Sequence, residues 1–472
     1  MRLRTAPLAL VLLTVSVASL RGEGNTFFRH DFGLAANDAV ALPDRFDLQD
    51  GLVWRQPMPA GHSTPCVVGD LLVLTTGEDD ELATVALDRQ TGSVRWRRRA
   101  PNTRVEPYHR VGGPATATPA SDGEHIYSFF GSFGLVCYDL EGNLAWSKPL
   151  GPFQDEFGCG SSPILVDGKV IIVQDHDVDS FLLAVDQQTG ETLWKVEREG
   201  FTRSYATPTV WEADGKKQLM VAGALQLVAY DVADGSKRWW VDGLARIVNT
   251  TPAHANGMLY VATWSPGGDA AERVAMEPWE VAAKQWDRDD DGKLRREELP
   301  EGPALERFFR IDLNQDGGLD ENEWTRHARV FDLAENKVLA IRPGGEGNLT
   351  DTHVEWTYAR GIPYVPSPVV YQGVVYLVKD GGIFTSLDAA TGAVGRQARL
   401  RATDSYYASP VAGDGKIYLA SEKGGVTVVK AGPAWEEISF RDFGERIVAT
   451  PVIDGSRIYL RTDEALYCFG SP

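Results

Sequence analysis

The chain has 472 residues, of which 43% are hydrophobic, and its formal net charge at pH 7 is −19. Such an acidic chain is a poor partner for nucleic acid, and it suits a protein that holds divalent cations. Its four cysteines, Cys66, Cys137, Cys159 and Cys468, are too few for a disulfide scaffold, although one or two bridges could form.

Residues 1–22 have the pattern of a signal peptide. Arg2 and Arg4 form a basic start, and an apolar stretch and small residues follow. The alternative, a buried N-terminal helix, is disfavoured because nothing polar alternates within the segment. The stretch is too short for a convincing transmembrane anchor, and no later segment approaches a membrane span. The first cysteine is Cys66, so the lipid-acceptor cysteine of a lipoprotein is missing. We expect a periplasmic or secreted monomer.

A repeat then fills the chain. Ser/Thr-Pro precedes an apolar run, a glycine turn and a second apolar run, and this pattern occurs eight times. The spacings lie between 41 and 54 residues, apart from one of 116, which indicates a single insertion. The prolines of the repeat are Pro65, Pro119, Pro163, Pro208, Pro252, Pro368, Pro410 and Pro451.

A second element, Asp-x-x-Thr-Gly followed by Trp, lies between several of these prolines, as at Asp88 to Trp96. Glycine allows the turn of a hairpin here, and β-formers flank it. Four short strands in each repeat are typical of a propeller blade, whose faces are buried only by stacking. The sequence therefore predicts an all-β fold, an eight-bladed β-propeller of four-stranded blades, with seven blades as the alternative. We interpret the recurring tryptophans as packing between blades rather than stacking on a substrate: Trp96, Trp146, Trp194, Trp239 and Trp356.

The two ends of the chain predict how the ring closes. The sequence ends 21 residues after Pro451, so the eighth blade lacks its outer strand. Residues 52–57, which include Trp54, can supply that strand. Blade six departs from the pattern, because Arg396 occupies the tryptophan position.

The long spacing predicts an insert over residues 265–330 within blade five, so that residues 50–264 and 331–472 form the propeller. The insert matches two EF-hand calcium loops, residues 287–298 and 312–323, and two matches in tandem make a solvated acidic loop an improbable reading. Alternating acids supply oxygen ligands, a glycine makes the sharp turn, and the last Glu binds bidentately. The predicted Ca²⁺ ligands are Asp287, Asp289, Asp291, the carbonyl of Lys293 and Glu298 in the first site, and Asp312, Asn314, Asp316, the carbonyl of Gly318 and Glu323 in the second.

The flanking segments of these loops predict helices at residues 271–286, 304–311 and 321–330. Leu294 and Leu319 are expected to pair across the two loops. The insert belongs to a loop of one blade, so the sequence gives no direct relation between it and the mouth of the channel.

One other acidic cluster, Asp175, His176, Asp177 and Asp179, precedes the third strand of blade three. It could hold a metal, but a solvated loop is the favoured interpretation.

The loops that enter the first strand of each blade converge at one mouth of the channel, where propellers usually bind ligands. They are rich in Arg and Tyr, which predicts an anionic or peptide-like ligand. The alternative is that the arginines bridge blades through acids such as Asp155 and Asp404. The predicted mouth residues are Arg110, Arg203, Tyr205, Arg246, Asn249, Arg360, Tyr364, Tyr406 with Tyr407, and Arg446.

The element at residues 86–96 and its copies resemble the PQQ-type β-propeller repeat, and the resemblance covers roughly residues 50–470 apart from the insert. The chain is similar to exported PQQ-binding-like propellers, several of which carry EF-hands. The related quinoprotein alcohol dehydrogenases would imply PQQ, Ca²⁺, a disulfide of adjacent cysteines and an aspartate base. No two cysteines are adjacent here, so no catalytic residue carries over and PQQ is not expected. A more distant resemblance to BamB implies protein partners and no cofactor.

We find no catalytic motif of a hydrolase, phosphate loop or dinucleotide site. The expected function is that of a calcium-binding, exported binding or scaffold propeller in the cell envelope, without enzymatic activity. Its ligand would be a protein or an anionic envelope component. The alternative is a quinone-dependent oxidoreductase.

Overall fold

The computed structural model describes residues 26–78, 81–109, 111–213, 215–269 and 276–470. The predicted signal peptide lies outside these residues. Eight antiparallel sheets, each with four core strands, form the predicted eight-bladed propeller. Among the described residues, no helix has the length and apolar character needed to span a bilayer.

Blades one to four follow one another along the chain, and in each blade the strand order in the sheet equals the order in sequence. The middle strands are almost fully buried because blades stack on both of their faces. The strands of blades one to four are, blade by blade, Cys66–Val68, Leu71–Glu78, Glu81–Asp88 and Val94–Arg99; Ala120–Ser121, His125–Phe130, Gly134–Asp139 and Leu144–Pro149; Ile164–Val166, Lys169–Gln174, Phe181–Asp186 and Thr192–Glu197; and Thr209–Ala213, Lys216–Gly223, Gln226–Asp231 and Lys237–Asp242.

Blades five to eight complete the ring, and blade five is interrupted after its second strand. Their strands are Ala253–Ala255, Met258–Thr263, Lys337–Ile341 and Val354–Tyr358; Val369–Tyr371, Val374–Lys379, Ile383–Asp388 and Val394–Arg399; Val411–Gly413, Lys416–Ala420, Gly425–Lys430 and Glu436–Asp442; and Val452–Asp454, Arg457–Arg461, Ala465–Gly470 and Leu52–Pro57.

The ring closes as predicted, by pairing the two ends of the propeller. Leu52–Pro57 is the outer strand of blade eight and runs antiparallel to Ala465–Gly470. Trp54 lies opposite Cys468 in this pair. The N-terminal strand thereby covers an edge that the C-terminal repeat would leave open.

A belt of hydroxyl groups joins the first strands around the channel. In seven consecutive pairs of blades, a backbone amide donates to the hydroxyl of the equivalent residue in the next blade, at 2.9–3.3 Å. These bonds explain why Ser or Thr precedes the proline in every repeat. The residues of the belt are, in ring order, Thr64, Thr118, Ser162, Thr207, Thr251, Ser367, Ser409 and Thr450.

The outer-strand tryptophans pack between blades, as the sequence predicts. Trp146 of blade two donates its Nε1–H to the carbonyl of Gln187 in blade three at 3.1 Å, and its ring covers Gly190. The same contact with the turn of the next blade is made by Trp54, Trp96, Trp194 and Trp356.

Trp239 departs from this arrangement. It is fully buried and donates to Oε1 of Gln218 in its own blade, at 2.9 Å. The reason lies in blade five, where the third and fourth strands are joined by a longer segment instead of the Asp-x-x-Thr-Gly turn. That segment contributes a short strand, Gly347–Asn348, which pairs in parallel with Trp239 and Trp240. Arg396, in blade six, instead stacks on Trp435 of blade seven at 4.4 Å.

The first part of an N-terminal segment, residues 26–34, lies at the end of the channel opposite the mouth, while Leu42 and Phe46 pack against blades seven and eight. No sequence pattern predicts this segment. The Thr26 carbonyl accepts from the Ser121 amide in blade two at 2.7 Å. Arg29, only 5% exposed, donates to the carbonyls of Pro368 and Pro410 in blades six and seven. The segment contains one 3₁₀ turn, His30–Gly33.

The helical insert lies between the strands that end at Thr263 and begin at Lys337. Two short strands pair Leu294 with Leu319, as predicted. The first helix begins at Trp279, later than expected, because Pro278 cannot donate a helical hydrogen bond; residues 270–275 lie outside the described residues. The insert's helices are Trp279–Trp286, Pro303–Glu306, Phe308–Ile311 and Glu321–Leu333; its short strands are Leu294–Arg295 and Gly318–Leu319; and a further helix, Thr350–His353, follows in blade five.

All four cysteines are buried and free, so none of the bridges that the sequence allowed is formed. Cys66, Cys137 and Cys468 pack in the cores between blades.

Candidate functional site: the channel mouth and the insert

The channel holds a pocket of about 190 Å³ at its mouth. The hydroxyl belt forms part of its wall, and Phe28 from the N-terminal segment forms part of its floor. Most of the remaining lining is aromatic or small. The pocket is therefore a blind well that opens on the side where the loops enter the first strands.

Three of the predicted mouth residues line this pocket together. Tyr205, Asn249 and Tyr364 come from the loops that enter blades four, five and six. The Asn249 side chain donates to the Tyr364 carbonyl at 3.1 Å, which fixes the two loops against each other. Tyr364 also contacts Trp264 edge to face, with ring centroids 5.3 Å apart.

Tyr406 does not belong to the pocket. It is 1% exposed, packs in the core of blades six and seven, and donates its hydroxyl to the Ala402 carbonyl at 2.9 Å. Its neighbour Tyr407 lines the pocket instead. Successive side chains of an extended segment point to opposite sides, so only one of the two adjacent tyrosines can face the channel.

The predicted mouth arginines are mostly engaged in bridges. Arg203 is buried and pairs with Asp177 and with Glu156, whose nearest oxygen lies 3.0 Å away. Arg446 pairs with Glu422 at 3.0 Å. These pairs agree with the bridging alternative, although with other acids than Asp155 and Asp404.

Arg246 and Arg360 have different surroundings from the bridging arginines. The Arg246 guanidinium donates to the Pro266 carbonyl at 3.2 Å. Arg360 is exposed and does not line the pocket. Arg110 lies outside the described residues.

Two buried carboxyl groups stand behind the pocket wall. Tyr205 donates its hydroxyl to Asp155 Oδ1 at 2.6 Å, and burial raises the pKa of Asp155 to about 7. Burial likewise raises the pKa of Glu106 to about 7, although Ser132 donates to it. One oxygen of each has no partner among the described residues. Neither carboxyl lines the pocket, so they position its wall.

Among the described residues that line the pocket, His62 is the one histidine. Burial, reinforced by the positive charges of Arg446 and Arg461, lowers its pKa to about 4. The imidazole is therefore neutral at physiological pH.

Two aspartates of the acidic cluster of blade three are buried in ion pairs rather than solvated, whereas Asp179 is exposed. Asp175 forms a buried bidentate pair with Arg198, with N···O distances of 2.6 and 2.7 Å. Asp177 is buried against Arg203. Each of these aspartates forms an ion pair with one guanidinium group, and this pairing compensates the burial of the carboxylate charge.

The first loop of the insert, residues 287–298, brings three of its acidic side chains close together. Oxygens of Asp287, Asp289 and Asp291 lie within 4.8 Å of one another. Gly292 has φ +79°, and its amide donates to Asp287 at 3.0 Å. The Glu298 carboxylate folds back and accepts from the Arg288 amide at 2.9 Å. The loop therefore brings three of its five predicted ligands together.

The second loop, residues 312–323, repeats the hydrogen-bond pattern of the first. The Gly317 amide donates to Asp312 at 3.1 Å, and the Asp316 amide donates to Asn314 at 2.9 Å. The Glu323 carboxylate accepts from the Leu313 amide at 2.8 Å, so it too folds back on the loop.

Basic side chains lie on both clusters of carboxylates. Arg295 pairs with Asp289 at 3.1 Å and with Asp291 at 2.5 Å. Lys293, from the first loop, pairs with Asp316 of the second. A cation that bound these loops would have to compete with these two side chains.

The insert packs against the mouth. It leaves blade five after the second strand, on the same side of the propeller as the loops that enter the first strands. The Gln154 side chain, from the loop between blades two and three, donates to the Leu313 carbonyl in the second loop. A cavity of about 40 Å³ separates the exit helix Glu321–Leu333 from Arg203 and Arg246. The insert is therefore part of the mouth.

The sequence profile of the family described as outer membrane protein assembly factor BamB matches residues 47–156, 85–240, 178–300 and 321–471. Together these segments cover most of the chain. No protein of curated function matches the sequence significantly.

Solved structures share the fold at low identity. BamB from Moraxella catarrhalis is 13% identical, with a TM-score of 0.56 over 89% of this chain and 97% of that chain. A quinohemoprotein alcohol dehydrogenase from Pseudomonas putida HK5 is also 13% identical, with a TM-score of 0.52 over 89% of this chain and 76% of that chain. A europium-containing methanol dehydrogenase is 12% identical, with a TM-score of 0.50 over 89% of this chain and 93% of that chain.

Proposed function

The chain belongs to the family described as outer membrane protein assembly factor BamB, and on that premise we propose that it is a calcium-binding, non-enzymatic propeller that binds a protein partner at its mouth. The insert carries the calcium, and the channel pocket receives a side chain of the partner. The predicted signal peptide, residues 1–22, supports a site of action in the cell envelope.

The observation that carries the binding role is the aromatic pocket at the mouth. Its volume of about 190 Å³ is below the roughly 300 to 1,000 Å³ of sites for drug-sized ligands, so it suits one inserted side chain. Tyr205, Tyr364 and Tyr407 line it with broad apolar faces. Aromatic pockets with a polar rim are where interface energy usually concentrates.

Calcium binding is supported by the arrangement of the two loops. Each has a glycine turn at the sixth position and a final Glu that folds back, and acidic oxygens converge in the first. Six to eight such oxygens at about 2.3 to 2.6 Å satisfy Ca²⁺. Dissociation constants of about 10⁻⁴ to 10⁻³ M are sufficient for an extracellular module.

The pocket is a poor match for PQQ, which carries three carboxylates. Among the described residues that line it there is no arginine or lysine, and Cys159 has no cysteine neighbour. We therefore propose no quinone chemistry for this chain.

The experiment that tests the binding role is capture of partners from the organism's own envelope fraction by the mature protein. A partner that binds at the mouth is lost in Tyr407→Arg, because an arginine in the pocket would be desolvated without a counter-charge. The same partner is retained by Arg342→Gln, which changes an exposed arginine at the opposite face. Equal capture by all three proteins would contradict a binding site in the pocket.

A further inference from the structure

The cavity between the insert and the propeller is dominated by cationic side chains. Arg203 and Arg246 approach it from the loops that enter blades four and five, while Arg310 and Arg326 approach it from the insert. One carboxylate, that of Glu323, is among the lining residues. This cavity of about 40 Å³ is separate from the channel pocket.

Within the described part of the chain, one of these four arginines is paired with carboxylates, and the charge of Glu156 also acts on Arg246 at longer range. Arg203 is committed to Asp177 and Glu156. Among the described residues, none of Arg246, Arg310 and Arg326 forms an ion pair with a carboxylate. Like charges held together near a partly buried cavity repel one another unless an anion compensates them.

The electrostatics of His327, which also lines the cavity, show this excess of positive charge. Burial first, and then the charges of Arg246, Arg307, Arg203 and Arg310, lower its pKa to about 3. The imidazole therefore adds no positive charge of its own, and the guanidinium groups set the potential of the cavity.

Glu323 links this cavity to the second calcium loop. It lines the cavity and is also the final predicted ligand of that loop. Its oxygens accept hydrogen bonds from the amides of Leu313, Asn314 and Asp320, so it stays in place beside the arginines. A calcium ion bound to Glu323 would offset the one negative charge that lines the cavity.

We propose that this cavity binds a small oxyanion group, a phosphate, sulfate or carboxylate, and that calcium in the second loop strengthens its binding. Guanidinium groups favour such ligands because their planar N–H donors match two oxygens at once. The second half of this inference rests on the proposed calcium site. By linkage, the anion would strengthen calcium binding by the same factor.

Sulfate is a suitable probe because it stays soluble with millimolar calcium. Sodium sulfate is titrated into the mature protein by calorimetry, at an ionic strength held constant with chloride, in calcium and in chelator. Calcium is expected to raise the sulfate affinity by about fivefold or more, which is the lower range of ordinary coupling. Acetate titrated in the same way separates a carboxylate ligand from a tetrahedral one, and binding of either supports the site.

Two variants locate the site, and one control accompanies them. Arg246→Gln in the propeller and Arg326→Gln in the insert are each expected to weaken sulfate binding about tenfold, as loss of a charged hydrogen-bond donor does. Arg342→Gln removes an exposed arginine on the opposite face and should bind as wild type does. Wild-type affinity in both cavity variants would overturn the anion site.

Glu323→Gln separates the anion site from the calcium site. This variant removes the negative charge without any metal, so in chelator it should bind sulfate as tightly as the calcium-loaded wild type does. No gain over wild type in chelator would overturn the anion site as described. A gain in Glu323→Gln, combined with no calcium binding by the wild type, would support the anion site and contradict the proposed calcium module.

Discussion

The side-chain amide of Gln154 donates to the carbonyl of Leu313, and this bond joins a mouth loop of the propeller to the second loop of the insert. Leu313 directly follows Asp312, the first predicted ligand of that loop. An ion that orders the loop would therefore also fix the insert against the mouth.

Calcium is expected to stabilise the whole protein. A ligand that binds only the folded state adds about 2.7 kcal/mol when its concentration is 100 times Kd. The melting temperature should therefore rise with calcium over chelator. The rise should shrink in Asp312→Ala, while Asp332→Ala, an exposed aspartate on the exit helix, should keep it. An equal rise in both variants would argue against binding by the second loop.

Arg295 should weaken the first calcium site. Its guanidinium pairs with Asp289 and Asp291, and calcium must displace it from both. Arg295→Gln is expected to tighten calcium binding by about two- to fivefold, the range of modest exposed ion pairs. Lys284→Gln removes one positive charge from an exposed position of the same insert and is the control. If both variants gain equally, the effect is net charge rather than competition by Arg295.

Asp155 should make stability depend on pH. Burial raises its folded-state pKa to about 7 from an ordinary 3.8, so the stability it contributes is present below about pH 4 and is lost as pH rises towards 7. Asp155→Asn should therefore gain stability relative to wild type with rising pH, by at most about 1.4 kcal/mol per pH unit.

Urea unfolding near pH 5 and near pH 8 measures this difference. The variant is compared with wild type because His62 is present in both and has the opposite effect. Its pKa is lowered to about 4, so it makes the folded protein less stable as pH falls. Asp351→Asn, at an exposed position, should show no such trend. A flat difference for Asp155→Asn would contradict a buried, protonated Asp155.

The contact between Trp146 and Gly190 should contribute to the packing of blades two and three. A Cβ on Gly190, which has φ +72°, would lie 2.6 Å from the Trp146 ring. Gly168 in the same blade has φ +71° but open space around its Cβ position. Gly190→Ala should therefore be less stable than Gly168→Ala by about 1 to 3 kcal/mol, the usual cost of overpacking. Equal denaturation midpoints would mean that the ring can move aside.

Reconstitution with PQQ and calcium tests the proposed lack of quinone chemistry. The mature protein should show no quinone absorbance after gel filtration and no dye reduction with alcohols. A bound chromophore at one equivalent would restore the oxidoreductase alternative.

The propeller could be predicted because its repeats encode it. The Ser/Thr before each proline supplies the hydroxyl belt, and the missing outer strand of blade eight identified its replacement at Leu52–Pro57. Residues 26–50 could not be predicted in the same way. Arg29 is held by backbone carbonyls of two distant blades, and such contacts leave no periodic signal.

The site was only partly predictable. An adjacent pair such as Tyr406 and Tyr407 gives no sign of which ring faces the channel. The position of the insert beside the mouth could have been predicted from the sequence, because successive strands of a blade run in opposite directions. A connection between second and third strands must lie on the side where the first strand begins.

Calorimetric titration of calcium into the mature protein tests the central claim most directly. We predict two binding events in wild type, one in each of Asp287→Ala and Asp312→Ala, and none in the double variant, with Asp332→Ala behaving as wild type does. Calcium binding that is unchanged in the double variant would contradict the assignment of the insert as a calcium module.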